Sequence, residues 1–419
     1  MGSRAEVTSR YANAYARASK KDKGRVLDQV VEVTGWSRDN TRRRLVAAVK
    51  RPPGAGRQVA KTPRKQRASK FSYDTLKVLQ RVWAASGGQC GKYLAASMRT
   101  QLDGLERHGE LTFGVDRYSQ AVREELLSMS AASIDRYLKP TKSADQIRGR
   151  STTKPSPLLR SSIKIRKSTD EVEASPGFFE GDTVAHCGPT FQGEFTRTLT
   201  MTDLVTGWTE NASIRNNASQ WIVKAVAALQ GMFPFPLLVF DSDNGSEFIN
   251  HDVADWLQER DIAQTRSRPY KKNDQATVES KNNHVVRKHA FYWRYDTTAE
   301  LALLGELWPL VSMRLNFFTP TKKPTGYATT ADGRRKRLYD KPKTPWQRVQ
   351  ESGLLTAEQV RAAHARIARV NPADLTRRIN QIQLRLTELS RDKTEAMTTS
   401  RHLNMASLEA SIRRLQTTK

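Results

Sequence analysis

Between Phe178 and Arg260 the residue pattern switches between a strand-like period of two and a helical repeat, and this rhythm most limits the folds open to the chain. Three strand-like stretches come first, at Phe178–His186, Phe195–Asp203 and Trp208–Ile214, the last two joined by a tight turn at Val205-Thr206-Gly207. A helix follows from Ser219 to Met232, with Trp221, Ile222, Ala225, Val226 and Leu229 on one face. A short strand at Leu237–Phe240 and a helix at Ile249–Arg260 complete the series. Strands alternating with helices predict an α/β domain, whose ligands gather beyond the carboxyl ends of the strands.

Three carboxylates sit where such a domain would use them. Asp182 lies in the apolar run Phe178-Phe179-Glu180-Gly181-Asp182-Thr183-Val184, and Asp243 follows a second run, in Phe240-Asp241-Ser242-Asp243-Asn244-Gly245-Ser246-Glu247-Phe248. Glu279, separated from Asp243 by 35 residues, opens a helical segment that places Asn283 and Arg287 on its face at i+4 and i+8. A helix crossing the sheet would bring Glu279 to the two aspartates. Taken singly, an Asp at a strand end is usually a cap or turn former and a helical Glu is usually solvated. Together they make an all-oxygen donor set for hard cations. Two such ions, about 3.5–4 Å apart, activate an attacking oxygen and stabilise a leaving one in phosphoryl transfer. Glu180, Asp241 and Glu247 stand beside the three and are read as supporting groups.

At these residues the chain resembles the DDE family of transposases and retroviral-type integrases. The resemblance rests on Glu180-Gly181-Asp182, on Asp243-Asn244-Gly245-Ser246-Glu247-Phe248, and on Val278-Glu279-Ser280-Lys281-Asn282 at the 35-residue spacing; it covers about residues 176–330. It implies an RNase H-like core with a mixed five-stranded sheet and flanking helices, and it makes Asp182, Asp243 and Glu279 the catalytic residues and ligands of two Mg²⁺ or Mn²⁺ ions. Its chemistry would be DNA cleavage followed by attack of the freed 3′-hydroxyl on target DNA. Many members carry a basic residue seven positions after the Glu, where this chain has Val286; Arg287 is the nearest substitute.

Charge distribution supports a nucleic-acid partner. The 419 residues carry a net charge of +27, and residues 1–70 hold 19 Lys and Arg against 5 Asp and Glu. Residues 333–419 hold 19 against 8, so the middle of the chain is nearly neutral. Basic arms of this kind are the electrostatic footprint of a polyanion binder. No apolar stretch approaches the ~20 residues needed to span a bilayer, and the first residues lack the apolar region of a secretory signal. With only two cysteines, Cys90 and Cys187, neither a disulfide framework nor a four-ligand zinc site is expected. A cytoplasmic, nucleoid-associated protein without a membrane partner is the expectation.

Ahead of the core, residues 1–50 are expected to form a helix-turn-helix domain. Thr34-Gly35-Trp36 makes the turn, and Ser37 caps a helix carrying Arg38, Asn40, Arg42, Arg43 and Arg44. Arg and Asn suit guanine and adenine edges. A basic linker (51–70) leads to a second helical domain (71–140). There Gln120–Leu127 and Ala131–Leu138 form another helix-turn-helix candidate with Arg136 outward. A second basic linker (141–175) precedes the core (176–330), and Ile163-Lys164-Ile165-Arg166-Lys167 alternates like the start of a strand. Beside the third carboxylate, Arg266-Ser267-Arg268-Pro269-Tyr270-Lys271-Lys272-Asn273 reads as a flexible loop that grips phosphates through Arg266, Arg268, Lys271 and Lys272; Lys281 and Arg287 add charge on the Glu279 helix.

A helix at Thr298–Phe318 should pack on the sheet. The basic region 331–419 holds an extended spacer at Lys341-Pro342-Lys343-Thr344-Pro345-Trp346, then a helix from Thr356 and another from Asn371-Pro372. Leu375, Ile379, Ile382, Leu386 and Leu389 are spaced like a coiled-coil seam, which suits either self-association or packing within a helical C-terminal region. The whole predicts a bacterial insertion-sequence transposase that binds double-stranded DNA, element ends and target, as a multimer. An accessory ATPase is neither required nor excluded by the sequence. The rival expectations are a DNA-binding regulator with an inert core and an RNase H-fold nuclease that only hydrolyses.

Overall fold

A computed structural model describes residues 4–49, 70–143, 164–166, 175–267, 276–329 and 335–417. Most of both predicted linkers, together with Arg268, Lys271 and Lys272, lies outside the described residues. The chain divides into two compact units, Met1–Ser69 and Lys70–Lys419.

In the first unit three helices, α1 (Arg4–Arg17), α2 (Lys20–Thr34) and α3 (Arg38–Val49), close over Ala12, Tyr15, Leu27, Val30 and Leu45. Gly35 ends α2 in the left-handed conformation (φ 68°), which allows its N–H to reach the Val31 carbonyl and turns the chain toward α3.

The second unit is built on a sheet of order β1-β6-β5-β2-β3-β4. Its strands are β1 (Lys164–Arg166), β2 (Phe178–Ala185), β3 (Arg197–Asp203), β4 (Thr209–Ile214), β5 (Val239–Ser242) and β6 (Ala263–Ser267). β2, β3 and β4 form the antiparallel meander, while β5 and β6 join β2 in parallel through α8 (Ser219–Gln230) and α9 (His251–Gln258). The expected mixed five-stranded sheet is present, and the short β1 extends its edge. β6 corrects one expectation: Arg266 and Ser267 belong to a paired strand, not to a loop. Their polarity hid the strand, because Arg266 is satisfied inside the fold by Asn244 Oδ1 at 2.9 Å.

Alternation along the strands sorts residues between two faces. Phe179, Leu199, Met201 and Phe240 meet α8 and α9 through Ile222, Val226, Val253 and Leu257. Val184 lies on the opposite face, against α12 (Thr298–Met313) and the buried side of α15 (Pro372–Thr417). The seam residues Leu375, Ile379, Ile382 and Leu386 pack there with Leu304, Leu307 and Trp308, so most of the seam is covered within the chain; Leu389 stays exposed. A π-helical turn, Arg314–Phe318, follows α12, and from it Asn316 both accepts from the Thr209 N–H and donates to the Thr209 carbonyl, pinning the start of β4.

Four helices precede the sheet: α4 (Tyr73–Ala85), α5 (Gly91–Arg107), α6 (Gln120–Ser128) and α7 (Ala131–Ser143). They share a core of Val78, Leu79, Val82, Leu94, Met98 and Leu102. Gln89 donates to the Phe318 carbonyl at 2.9 Å and Thr376 to the Ala85 carbonyl at 2.7 Å, tying this layer to the π-helical turn after α12 and to α15. Ahead of the expected spacer at 341–346, β7 (Pro324–Thr329) and β8 (Arg335–Tyr339) pair as a separate antiparallel ribbon; Pro345 and Trp346 of that spacer open α13 (Pro345–Glu351), which α14 (Ala357–Ala368) follows.

Candidate functional site

The parallel pairing of β2 with β5 decides where the first two carboxylates lie. Glu180 is opposite Asp241 and Gly181 opposite Ser242, so Asp182 and Asp243 come next along the two neighbouring strands, at the carboxyl end of β5. Gly181 permits the approach of the two strands: a Cβ there would strike the Phe240 ring. Asp182 accepts from the Thr183 N–H at 2.7 Å, and Asp243 from the Gly245 N–H at 2.8 Å. Burial, then the charge of Asp243 and, further down, those of Glu247 and Glu279, pushes the Asp182 carboxyl well above the usual range. Burial also raises Asp243, to about 6, against the lowering effect of its bond from Gly245. Each carboxylate thus makes its neighbour harder to ionise.

Glu279 arrives on a short helix, α10 (Ala276–Lys281). Buried Glu180 docks this helix, accepting from the Val278 N–H at 2.9 Å beside Glu279 itself. Glu279 is exposed. Asp241 accepts from Thr265 Oγ1 on β6 at 2.5 Å, and Glu247 accepts from Thr183 Oγ1 at 3.1 Å and Arg197 at 3.4 Å. The three flanking acids therefore hold helix, strand and loop in place around the other three.

After α10 the chain forms a π-helical turn, Asn282–Arg287, and a last helical turn, α11 (Lys288–Ala290). Asn283, expected on the face of Glu279, is exposed as Glu279 is. Asn282 donates to Asp182 Oδ2 at 2.6 Å. Its spacing at i+3 from Glu279 puts it on the same helix face, but nothing in the sequence placed Asp182 opposite that face. Lys281 donates to the Gly207 carbonyl at 3.2 Å and burial lowers it to about 8, while Arg287 donates to the Ala185 carbonyl at 3.0 Å and stacks on Tyr292. With Arg266 likewise turned inward, three of the cations expected to meet phosphates are engaged with the protein's own groups.

The donor set suits a hard divalent cation. Asp182, Asp243 and Glu279 offer oxygen only, and beside them Asn282 Oδ1 is a buried acceptor with no hydrogen-bond partner among the described residues. No three acidic, histidine or cysteine side chains among the described residues stand close enough to form a finished metal centre. Repulsion between the carboxylates is the force a cation would remove.

In the first unit, α3 carries the predicted recognition residues at its surface. Arg38 pairs with Asp28, Arg42 with Asp39 at 3.0 Å, Arg43 donates to the Asp39 carbonyl, and Arg44 bonds Asn40 and lies 4.3 Å over Trp36. All five recognition side chains lie at the surface, in pairs that water screens readily. Arg136 is exposed on α7, which begins behind the Ser130 cap.

An integrase core domain model matches residues 173–272, which hold Asp182 and Asp243. The uncharacterized protein y4rM of Sinorhizobium fredii is 34% identical over 323 residues, covering 77% of this chain and 88% of that protein. Among solved structures, the catalytic core domain of BIV integrase is similar with 17% identity and a TM-score of 0.27, over 42% of this chain and 95% of that one. Among the described residues no helix is long and apolar enough to cross a membrane.

Proposed function

The chain belongs to the integrase and transposase family, and from that premise we propose that it is a DNA transposase that cuts the ends of a mobile element and joins them to target DNA. The observation that carries this reading is the pair Asp182–Asp243 on adjacent parallel strands, with both carboxyls raised by burial and by neighbouring charge, and with Glu279 brought alongside on α10.

Asp182, Asp243 and Glu279 would hold two Mg²⁺ or Mn²⁺ ions, which when bound supply charge neutralisation at the attacked phosphate. The remaining chemistry belongs to positioning, as in-line phosphoryl transfer requires. Asn282 orients Asp182, Gly245 orients Asp243, and Glu180 fixes the approach of the helix that carries Glu279. Arg197 pairs with Glu247 at 3.4 Å beside the carboxylates that would hold the ions. The exposed cations of α3 and Arg136 on α7 would bind element ends, and Arg268, Lys271 and Lys272 would add positive charge for phosphate.

The test places a selectable marker between the DNA segments that flank the gene and supplies the protein in trans. Insertions are expected from the wild type and none from Glu279→Gln, with DNA affinity nearly equal in the two. Insertion by Glu279→Gln at the wild-type rate would overturn the assignment. DNA cut without joined product would identify a hydrolytic nuclease.

A further inference from the structure

A cavity of about 1140 Å³ lies between the α4–α5 turn, the loop after β2, α11 and α15. No Asp or Glu lines it among the described residues. Its charged lining is cationic, with Arg287, Lys288 and Arg314 beside the His289 imidazole. Aromatic rings supply much of the rest of its wall, from Trp83 and from the consecutive Tyr292 and Trp293.

Arg314 is 8% exposed and meets neutral groups only. It donates to His289 Nε2 at 2.5 Å and to Thr376 Oγ1 at 3.4 Å, and it packs on Gly87, where a Cβ would come within 2.6 Å of the guanidinium. His289 Nδ1 donates to the Val285 carbonyl at 2.6 Å, which leaves Nε2 to accept. Lys288 donates to the Gly87 carbonyl at 2.9 Å. Burial pushes Arg314 down to about 10. Buried cations normally have a carboxylate partner, because an unpaired one costs several kcal/mol to desolvate. Here the described residues provide none. Before Tyr292, Phe291 is held at φ 55°, ψ −149°, a conformation that an L-residue keeps only when its surroundings impose it.

We propose that this cavity is a nucleotide-binding site, in which Lys288 and Arg314 take a phosphate and the aromatic wall takes the base. Charge-assisted bonds to phosphate and stacking on aromatic rings are the two elements of sequence-tolerant nucleotide recognition. The volume is ample for one nucleotide, since small-molecule pockets span about 300–1,000 Å³. The nucleotide is a unit of a DNA strand or a free nucleotide, and the same chemistry recognises either; the inference rests on the transposase reading only for the strand.

The full chain is titrated with inorganic phosphate, thymidine 5′-monophosphate and a four-residue thymidine strand, by calorimetry and by the fluorescence of its tryptophans. The monophosphate should bind at least about fivefold more tightly than phosphate. Lys288→Gln, at an exposed position, should weaken monophosphate binding about tenfold, and Tyr292→Leu should reduce the monophosphate to the level of phosphate. Lys224→Gln, an exposed change on α8, should alter nothing. Tighter binding of the strand than of the monophosphate, lost in Lys288→Gln, identifies the strand as ligand; equal binding identifies the free nucleotide. Wild-type affinity in Lys288→Gln, or phosphate binding as tightly as the monophosphate, would overturn the proposal. Glu279→Gln should bind the monophosphate as wild type does. Lost binding there would place the signal at the carboxylates and also overturn it, whereas failed insertion with binding intact faults only the catalytic reading.

Discussion

The strand-end cleft and the α11–α15 cavity belong to the same unit and carry opposite charge. One gathers Asp182, Asp243, Glu247 and Glu279, with Arg197 beside Glu247; the other gathers Lys288, Arg314 and His289 with no acid in its lining among the described residues. A single stretch of chain serves both, since Asn282 touches Asp182 and, six residues later, Lys288 lines the cavity. Folding alone would favour pairing these charges with one another. Keeping them apart leaves two groups of like charges, each of which costs stability and each of which is completed by a ligand of opposite sign. Such a trade of stability for function is common at active sites.

The largest expected effect breaks the comparison on its acidic side. Asp243→Asn should lower insertion by about three orders of magnitude, because a lost metal ligand removes several kcal/mol of transition-state stabilisation. Nucleotide binding at the cavity should not change. If the cavity signal fell with it, the two regions would be one site.

Next comes the stability of the metal-free protein. The Asp182 and Asp243 carboxyls are raised, so the folded state holds more protons than the unfolded one between the ordinary carboxylate range and about pH 6. Stability should therefore fall as pH rises through that window, by an amount on the order of 1–3 kcal/mol. Mg²⁺ should raise the melting temperature at pH 7.5 in the wild type and not in Asp243→Asn. A melting curve indifferent to Mg²⁺ at that pH would argue against the cleft as a cation site.

Gly181→Ala tests packing rather than charge. Its Cβ must displace the Phe240 ring, which should cost about 1–3 kcal/mol and shift Asp182 away from Asp243. Lower melting temperature with insertion lost, and with nucleotide binding kept, is the expected pattern in thermal denaturation and the two functional assays. The smallest effect lies on the cationic side. Arg314→Met removes a buried charge that has no acid partner, so its melting temperature should stay within a few degrees of wild type or rise, while monophosphate binding falls. A large destabilisation would mean that Arg314 is a structural group.

Much of the catalytic half was legible in the sequence because its signals are local. The strands at 178–214, α8 and α9 follow from alternation and helical periodicity, and Asp182 and Asp243 stand out within one apolar run and just beyond another. β6 was not legible, since Arg266 looks like loop charge until Asn244 is seen to satisfy it. Nor was the ribbon of β7 and β8, whose residues are largely polar and exposed. The seam on α15 was legible as an apolar stripe, but its spacing could not distinguish another copy of the chain from α12 as the covering surface. The burial of Ile379 and Leu386 beside Trp308 settles what covers that part of it.

By itself the sequence determined the alternation of elements, the positions of three carboxylates and the basic character of both arms, because each depends on residues close together in the chain or on composition. Tertiary structure decided which polar groups face one another. The docking of Val278 on Glu180, the contact of Asn282 with Asp182 and the meeting of Gly87, Lys288 and Arg314 join residues from 98 to 227 positions apart. Local propensity carries no information about such contacts; they exist because burying the apolar faces of the sheet and of α12 and α15 leaves these polar groups one another as neighbours.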